Sequence, residues 1–237
     1  MGANLNFLKA KDSYKTAAKA QDIMGQRLCD MLENLHLKEF DRVFEFGCGM
    51  GEFSQKLQNT IYFKDYVRND ILDYKSEFEV EIFDMDKIPA HFLATQKFQL
   101  IASNAVIQWL KSDIFTNLYA LLEEGGILLL SSFGEDNLKE IKSLTGLSLR
   151  YKNLKEYERL LEKFEILALK EEMIKLKFES ALEVFRHLKL SGVNSLGKFF
   201  LGKDTLLKMK QEFNNTLTYH SIYILCKKRL NKFCYNA

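Results

Sequence analysis

The sequence predicts an α/β fold built on a doubly wound, parallel sheet with helices over both faces. Three observations predict it. Short apolar segments of strand length alternate with segments of helical period, as βαβ crossovers require. A glycine-rich turn, Gly47-Cys48-Gly49-Met50-Gly51, directly follows the first apolar strand. Carboxylates close two later strands, Asp70 and Asp84, where ligands gather in such sheets.

The elements follow in order. Ala17, Ala20, Ile23, Met24, Leu28, Met31 and Leu32 recur at helical spacing and predict an amphipathic helix over residues 13 to 34. Strands are predicted at Arg42 to Phe46, Tyr62 to Asn69, Glu79 to Phe83 and Phe98 to Ser103, with a helix at Glu52 to Gln58 after the glycine turn. Gly125-Gly126 introduces a further strand, Ile127 to Ser132. Beyond Gly134 the pattern turns helical. Phe164 to Lys170 and Met173 to Phe178 read as two strands, Ser180 to Ser191 as a helix and Thr218 to Lys227 as the closing strand.

Length and charge bound the rest. A chain of 237 residues, 47% hydrophobic, suits one large α/β domain: a cap helix in residues 1 to 36, a cofactor-binding core in 40 to 135, and a substrate cap with closing strands in 136 to 237. The longest aliphatic run, Ile127 to Leu130, is far short of the roughly 20 apolar residues that span a bilayer. A cytoplasmic protein without membrane contact is expected. Four scattered cysteines with no Cys-x-x-Cys pair argue against a disulfide framework or thiolate zinc site, and His36, His91, His187 and His220 share no metal-ligand spacing, so no metal is expected. Residues 1 to 149 carry 16 Lys and Arg against 22 Asp and Glu; residues 150 to 237 carry 18 against 10. The basic carboxyl-terminal part suits an acidic partner, or is an ordinary lysine-rich surface.

The glycine turn lets the backbone touch a ligand that side chains would hold away, and helix-terminal amides then face that ligand. Its third glycine comes one residue sooner than in the dinucleotide fingerprint, which favours S-adenosylmethionine over NAD. Asp70 lies nineteen residues beyond Gly51, the spacing of a ribose-binding carboxylate; a helix N-cap is the alternative. Asp84 and Met85 could present a carboxylate and an amide to an adenine edge, or Asp84 could simply cap a turn. Ser103-Asn104 ends the fourth strand beside the reacting centre. A lone Trp at helical spacing is usually core, so Trp109 carries little weight by itself.

Together these residues carry a resemblance. Gly47 to Gly51 with Glu45, Asp70, Asp84 and Asn104 resembles the class I S-adenosylmethionine-dependent methyltransferases, whose Rossmann-like sheet has seven strands. More narrowly, Ser103-Asn104-Ala105-Val106-Ile107-Gln108-Trp109, Ser131-Ser132-Phe133-Gly134, Arg186-His187-Leu188-Lys189 and Leu217-Thr218-Tyr219-His220 resemble the malonyl-acyl carrier protein O-methyltransferases of biotin synthesis, as do Phe7, Tyr14, Ala18 and Gln21 in the opening helix. The chain departs from that family at Glu45, where Asp is usual, at Met50, where a small residue is usual, and at Glu124, where proline commonly stands.

The resemblance implies S-adenosylmethionine as cofactor, held by Gln21, Glu45, Gly47, Cys48, Gly49, Gly51, Asp70, Ile71, Asp84, Met85, Asn104 and Ala105. It implies methylation of the free carboxylate of malonyl-acyl carrier protein, an early step of pimeloyl assembly, leaving S-adenosylhomocysteine. A carboxylate is already an ionised nucleophile, so no catalytic base is expected and rate comes from alignment in a dry site. Substrate contacts are expected from Tyr14, Gln108, Trp109, Arg150, Arg186, Lys189, Tyr219 and His220: Arg150, Tyr14 and Tyr219 toward the carboxylate, Arg186 and Lys189 toward the acidic carrier. For His220, packing is as good a reading. The amino-terminal helix and residues 138 to 161 are expected to form a lid. A methyltransferase for free di- or tricarboxylic acids and a non-catalytic binding module remain alternatives; a nucleic-acid methyltransferase is disfavoured because Ser103-Asn104-Ala105-Val106 lacks the Pro-Pro-aromatic sequence of amino-methylating enzymes.

Overall fold

In the computed structural model, residues 18–190 and 202–230 are described. Seven strands form one sheet in the order β3-β2-β1-β4-β5-β7-β6. They are β1 (Glu39–Phe46), β2 (Tyr62–Asp70), β3 (Glu81–Ile82), β4 (Phe98–Ser103), β5 (Leu122–Phe133), β6 (Phe164–Lys177) and β7 (Thr216–Lys228). The helices are α1 (Lys19–Asn34), α2 (Glu52–Thr60), α3 (Ile114–Leu121), α4 (Lys139–Thr145), α5 (Leu154–Leu160), α6 (Ala181–Leu190) and α7 (Lys203–Phe213).

The expected parallel pairing holds from β3 through β5. It fails at β7, which runs antiparallel to its neighbours. Gly134 N–H donates to His220 O and Leu138 N–H to Thr218 O, while Phe178 N–H reaches Asn215 O and Arg229 Nε reaches Phe164 O at the opposite end. β6 is one fourteen-residue strand rather than the expected pair. The charged run Lys170-Glu171-Glu172 interrupts the apolar pattern but not the backbone ladder, since this is a sheet edge where charge is solvated.

Two compact units share the described residues. One comprises 24–132, 153–170 and 222–230; the other comprises 18–23, 133–152, 171–190 and 202–221. The core of the larger unit forms around Phe44, Phe46, Phe98, Ile101, Leu128, Leu130 and Ile224, every one of them buried. Phe44 and Phe98 stack across β1 and β4 with ring centroids 5.1 Å apart. Between β4 and β5 the register slips, with Phe98 opposite Leu122 but Leu100 opposite Ile127, so that Glu123 to Gly126 bulge outward. Buried Lys228 fastens the strand ends there, donating to Leu122 O at 2.9 Å above the Tyr119 ring. In the smaller unit α7 packs against α4 and α6. Glu140 ties α4 to β7 by accepting from the amide (3.0 Å) and hydroxyl (2.5 Å) of Thr218.

Phe44→Ala should therefore cost about 3 to 5 kcal/mol of unfolding free energy, measured by urea denaturation. Tyr62→Ala, at a side chain 74% exposed on β2, should change it by less than about 0.5 kcal/mol.

Candidate functional site

β1 ends in Phe46, and the chain turns away through the glycine loop with Gly47, Gly49 and Gly51 all at positive φ. Two of these positions have no room for a side chain. A Cβ at Gly47 would lie 2.4 Å from Val106 Cγ2, and one at Gly51 would lie 2.6 Å from the Phe78 ring. The loop is thus seated against the β4 end on one side and the chain after β2 on the other. α2 begins immediately beyond it, presenting its amino-terminal amides at the loop.

Asp70 anchors the loop from β2. Its Oδ2 accepts from Gly49 N–H at 2.8 Å and its Oδ1 from Leu72 N–H at 3.0 Å. Burial raises its pKa while those amides pull it back. Each carboxylate oxygen carries further lone-pair capacity, so the backbone bonds orient the group without exhausting it. Ile71, half-exposed, follows it. Asp84 Oδ1 accepts from Asp86 N–H at 3.1 Å, capping the short 3-10 helix Met85–Ala90; the cap reading is realised, and Met85 is buried beneath it.

Below the loop lies a buried polar cluster. Glu45 is 1% exposed, and its Oε2 accepts from Ser54 Oγ at 2.5 Å and Tyr66 OH at 2.6 Å. Burial pushes its carboxyl up to about 7 against those two hydrogen bonds and the nearby Arg68 charge. Arg68 is itself clamped between the Tyr66 and Phe78 rings, at 4.2 and 4.4 Å from their centroids. Burial likewise drives the Cys48 thiol far above its ordinary pKa, which makes it an inert packing group.

The β4 end carries a second feature. Ala105 has φ +58, a left-handed conformation that costs a non-glycine residue about 1 to 2 kcal/mol. Both its backbone groups are gripped: its N–H donates to Ser131 Oγ at 2.9 Å and its O accepts from Gln108 Nε2 at 2.6 Å. Ser131 in turn donates to Asn104 Oδ1 at 2.6 Å. Trp109 is 44% exposed, and the apolar side chain that this short segment buries is Ile107, at 2%.

All cofactor residues expected from the sequence lie in the larger unit except Gln21, half-buried on α1 in the smaller one. Of the substrate candidates, Gln108 and Trp109 belong to the larger unit; Arg150, Arg186, Lys189, Tyr219 and His220 belong to the smaller. Tyr14 lies outside the described residues. Arg150 is exposed in the connection after α4, beside Tyr151, whose ring packs on Phe133. Arg186 and Lys189 are exposed on α6. Tyr219 is buried with its hydroxyl 2.7 Å from His187 Nε2, and burial pushes the His187 imidazole down to about 4, leaving it neutral. His220 is engaged at both ring nitrogens: Nδ1 accepts from Asp136 N–H at 3.2 Å and Nε2 faces Glu171 Oε2 at 3.2 Å. That arrangement anchors the turn after β5. Among the described residues no three His, Cys, Asp or Glu side chains gather as a metal-holding group, and no helix is long and apolar enough to cross a membrane.

Sequence reasoning missed Tyr66, Arg68, Ser54 and Phe78. The first two were within reach, since Tyr66, Arg68 and Asp70 alternate onto one face of β2.

Residues 19–184 match the family model described as a methyltransferase domain. A malonyl-[acyl-carrier protein] O-methyltransferase from Calditerrivibrio nitroreducens is 33% identical over 98% of this chain and 98% of its own. The chain belongs to the malonyl-[acyl-carrier protein] O-methyltransferase family. A second member, from Bacteroides thetaiotaomicron, is 32% identical over 94% of this chain and 96% of its own. Among solved structures, the N-methyltransferase NodS from Bradyrhizobium japonicum WM9 in complex with S-adenosyl-L-homocysteine superposes with TM-score 0.50 over 90% of this chain and 87% of that one, at 14% identity, a likeness of fold. As a family member the protein is an S-adenosylmethionine-dependent methyltransferase, and its glycine loop, which faces open space at Gly49 and is flanked by a ribose-spaced carboxylate, fits that cofactor.

Glu45 yields a pH prediction. Its carboxyl sits at about 7 in the fold against 4.5 ordinarily, so its contribution is fully present below 4.5 and is lost as pH rises through 7. Between pH 5 and 8 the wild type should lose on the order of a few kcal/mol relative to Glu45→Gln, read from paired urea titrations at constant ionic strength. His187, with its lowered pKa, acts in the opposite direction below its ordinary 6.5 and cancels in the comparison.

Proposed function

We propose that this enzyme methylates the free carboxylate of malonyl-acyl carrier protein, in pimeloyl assembly for biotin. The observation that carries the reading is the near end-to-end match to a relative of that name, which extends through the smaller unit where Arg150, Arg186, Lys189, Tyr219 and His220 lie. A match confined to the cofactor loop would support only methyl transfer.

S-adenosylmethionine supplies an electrophilic methyl group when bound. The chain's own task is to bind, orient and exclude water. Gly47, Cys48, Gly49 and Gly51 approach the donor by backbone, Asp70 takes the ribose hydroxyls, and Ile71, Asp84 and Met85 border the adenine. Glu45 acts from beneath, holding α2 to β1 through Ser54. Asn104 and Ala105 face the reacting centre, with Gln21 as a further donor contact. No residue serves as general base, because the substrate carboxylate is ionised at neutral pH.

Arg150 offers a bidentate fork to that carboxylate, with Tyr14, Gln108 and Trp109 as further contacts. Tyr219 reaches it only if its hydroxyl, held by neutral His187, donates outward. The hydrogen-bonded His220 ring supports the segment Gly134 to Leu138. Arg186 and Lys189, three apart on the solvent face of α6, receive the acidic carrier.

Incubation with S-adenosylmethionine should add one methyl mass to malonyl-acyl carrier protein and none to acetyl-acyl carrier protein, by intact-protein mass spectrometry. Methylation of a free dicarboxylic acid in preference to the carrier would move the substrate class. Arg150→Ala should lower kcat/KM for the malonyl substrate by about tenfold to a hundredfold, as loss of a charge-assisted contact does. Reversing Arg186 and Lys189 together should raise KM for the carrier and flatten its salt dependence.

A further inference from the structure

The side chains around Ala105 form a directed series of hydrogen bonds. Tyr157 OH donates to Ser132 Oγ at 2.7 Å, and Ser132 donates to Gln108 Oε1 at 3.4 Å. Gln108 Nε2 donates to Ala105 O at 2.6 Å; Ala105 N–H donates to Ser131 Oγ at 2.9 Å; Ser131 donates to Asn104 Oδ1 at 2.6 Å. Every link points the same way. Each hydroxyl gives its one proton forward, both serine hydroxyls also accept from the member behind, and the series ends on Asn104 Oδ1, which fixes the plane of that amide.

We infer that Tyr157, on α5, is a positioning residue for the cofactor end of β4, acting through Ser132, Gln108, Ala105 and Ser131 on Asn104.

Three features support this. Tyr157, Ser131 and Ser132 are 1%, 0% and 0% exposed, so water cannot substitute for a missing partner without entering the core. Ala105 holds a left-handed backbone that a β4 end without such grips would relax, because strain of this size persists only where neighbours over-determine it. Burial also pushes Tyr157 up to about 12, so its hydroxyl keeps its proton across the working pH range. The Gln108 amide and the serine hydroxyls polarise along the series, while across Ala105, whose O and N–H belong to different peptide groups, the coupling is mechanical, through the backbone conformation that both bonds hold.

The inference rests on the reading that Asn104 and Ala105 border the donor. The test therefore pairs Tyr157→Phe with Asn104→Ala in the full chain. S-adenosylhomocysteine affinity is measured by titration calorimetry, KM and kcat with malonyl-acyl carrier protein, and melting temperature in parallel. Tyr157→Phe should weaken S-adenosylhomocysteine by about threefold to tenfold, the size of one hydrogen bond, and Asn104→Ala by at least as much. KM for S-adenosylmethionine should rise in Tyr157→Phe, and KM for the carrier should not. Should Tyr157→Phe fail to fold, Ser131→Ala breaks the series nearer its end, with Ser131→Thr as the variant that restores affinity. If Tyr157→Phe or Ser131→Ala melts earlier yet binds S-adenosylhomocysteine as the wild type does, while Asn104→Ala does not, the relay is purely structural and the inference falls. Wild-type binding by Asn104→Ala would remove the underlying reading as well.

Discussion

The approach of Gly47 to Val106 is the constraint on which the site depends. Two chain segments that are 59 residues apart in sequence meet with space for a hydrogen atom and none for a methyl group, since a Cβ would stand 2.4 Å from Val106. Backbone and side chain are close-packed there, so the loop has one seat. Phe78 closes it over Gly51, and Asp70 draws Gly49 N–H toward β2. The left-handed turn of Ala105 is what delivers Val106 to this position. Its strain is maintained by bonds to β5 and to Gln108. Cofactor loop and β4 end are therefore one mechanical object.

Electrostatics under the loop have the same logic. Parallel pairing sets Glu45 of β1 beside Arg68 of β2, and the Glu45 carboxylate reaches both Ser54 and Tyr66. A carboxylate this buried costs stability when ionised, and the chain offsets that with hydroxyl donors and a stacked guanidinium rather than a direct ion pair. The arrangement spends stability on a fixed polar floor beneath a ligand that carries its own charge.

What could be read in advance was whatever has a local cause. β4, bounded by polar residues and apolar within, was legible to the residue, and α2 was legible because a glycine loop must release into a helix. The short β3, only Glu81–Ile82, was overestimated because its apolar pattern continues into Phe83, whose ring instead stacks on His91. α5 follows a capping box, Asn153 with Glu156, a signal present in the sequence and left unused. The antiparallel entry of β7 has no local cause at all: a strand of either direction buries the same apolar residues. For the site, glycines and carboxylates were legible because each answers to one ligand contact. Tyr157 was not, since it touches Ser132 from 25 residues away and nothing in the periodicity of α5 marks that contact.

The most direct measurement is the S-adenosylhomocysteine affinity of Gly47→Ala beside that of Gly47→Ala with Val106→Ala, each confirmed folded by circular dichroism. If the seat of the loop governs the site, the single variant loses affinity by about tenfold or more, and removing the opposing side chain restores part of it. Wild-type affinity in Gly47→Ala, or a loss that Val106→Ala leaves wholly unchanged, would contradict the account.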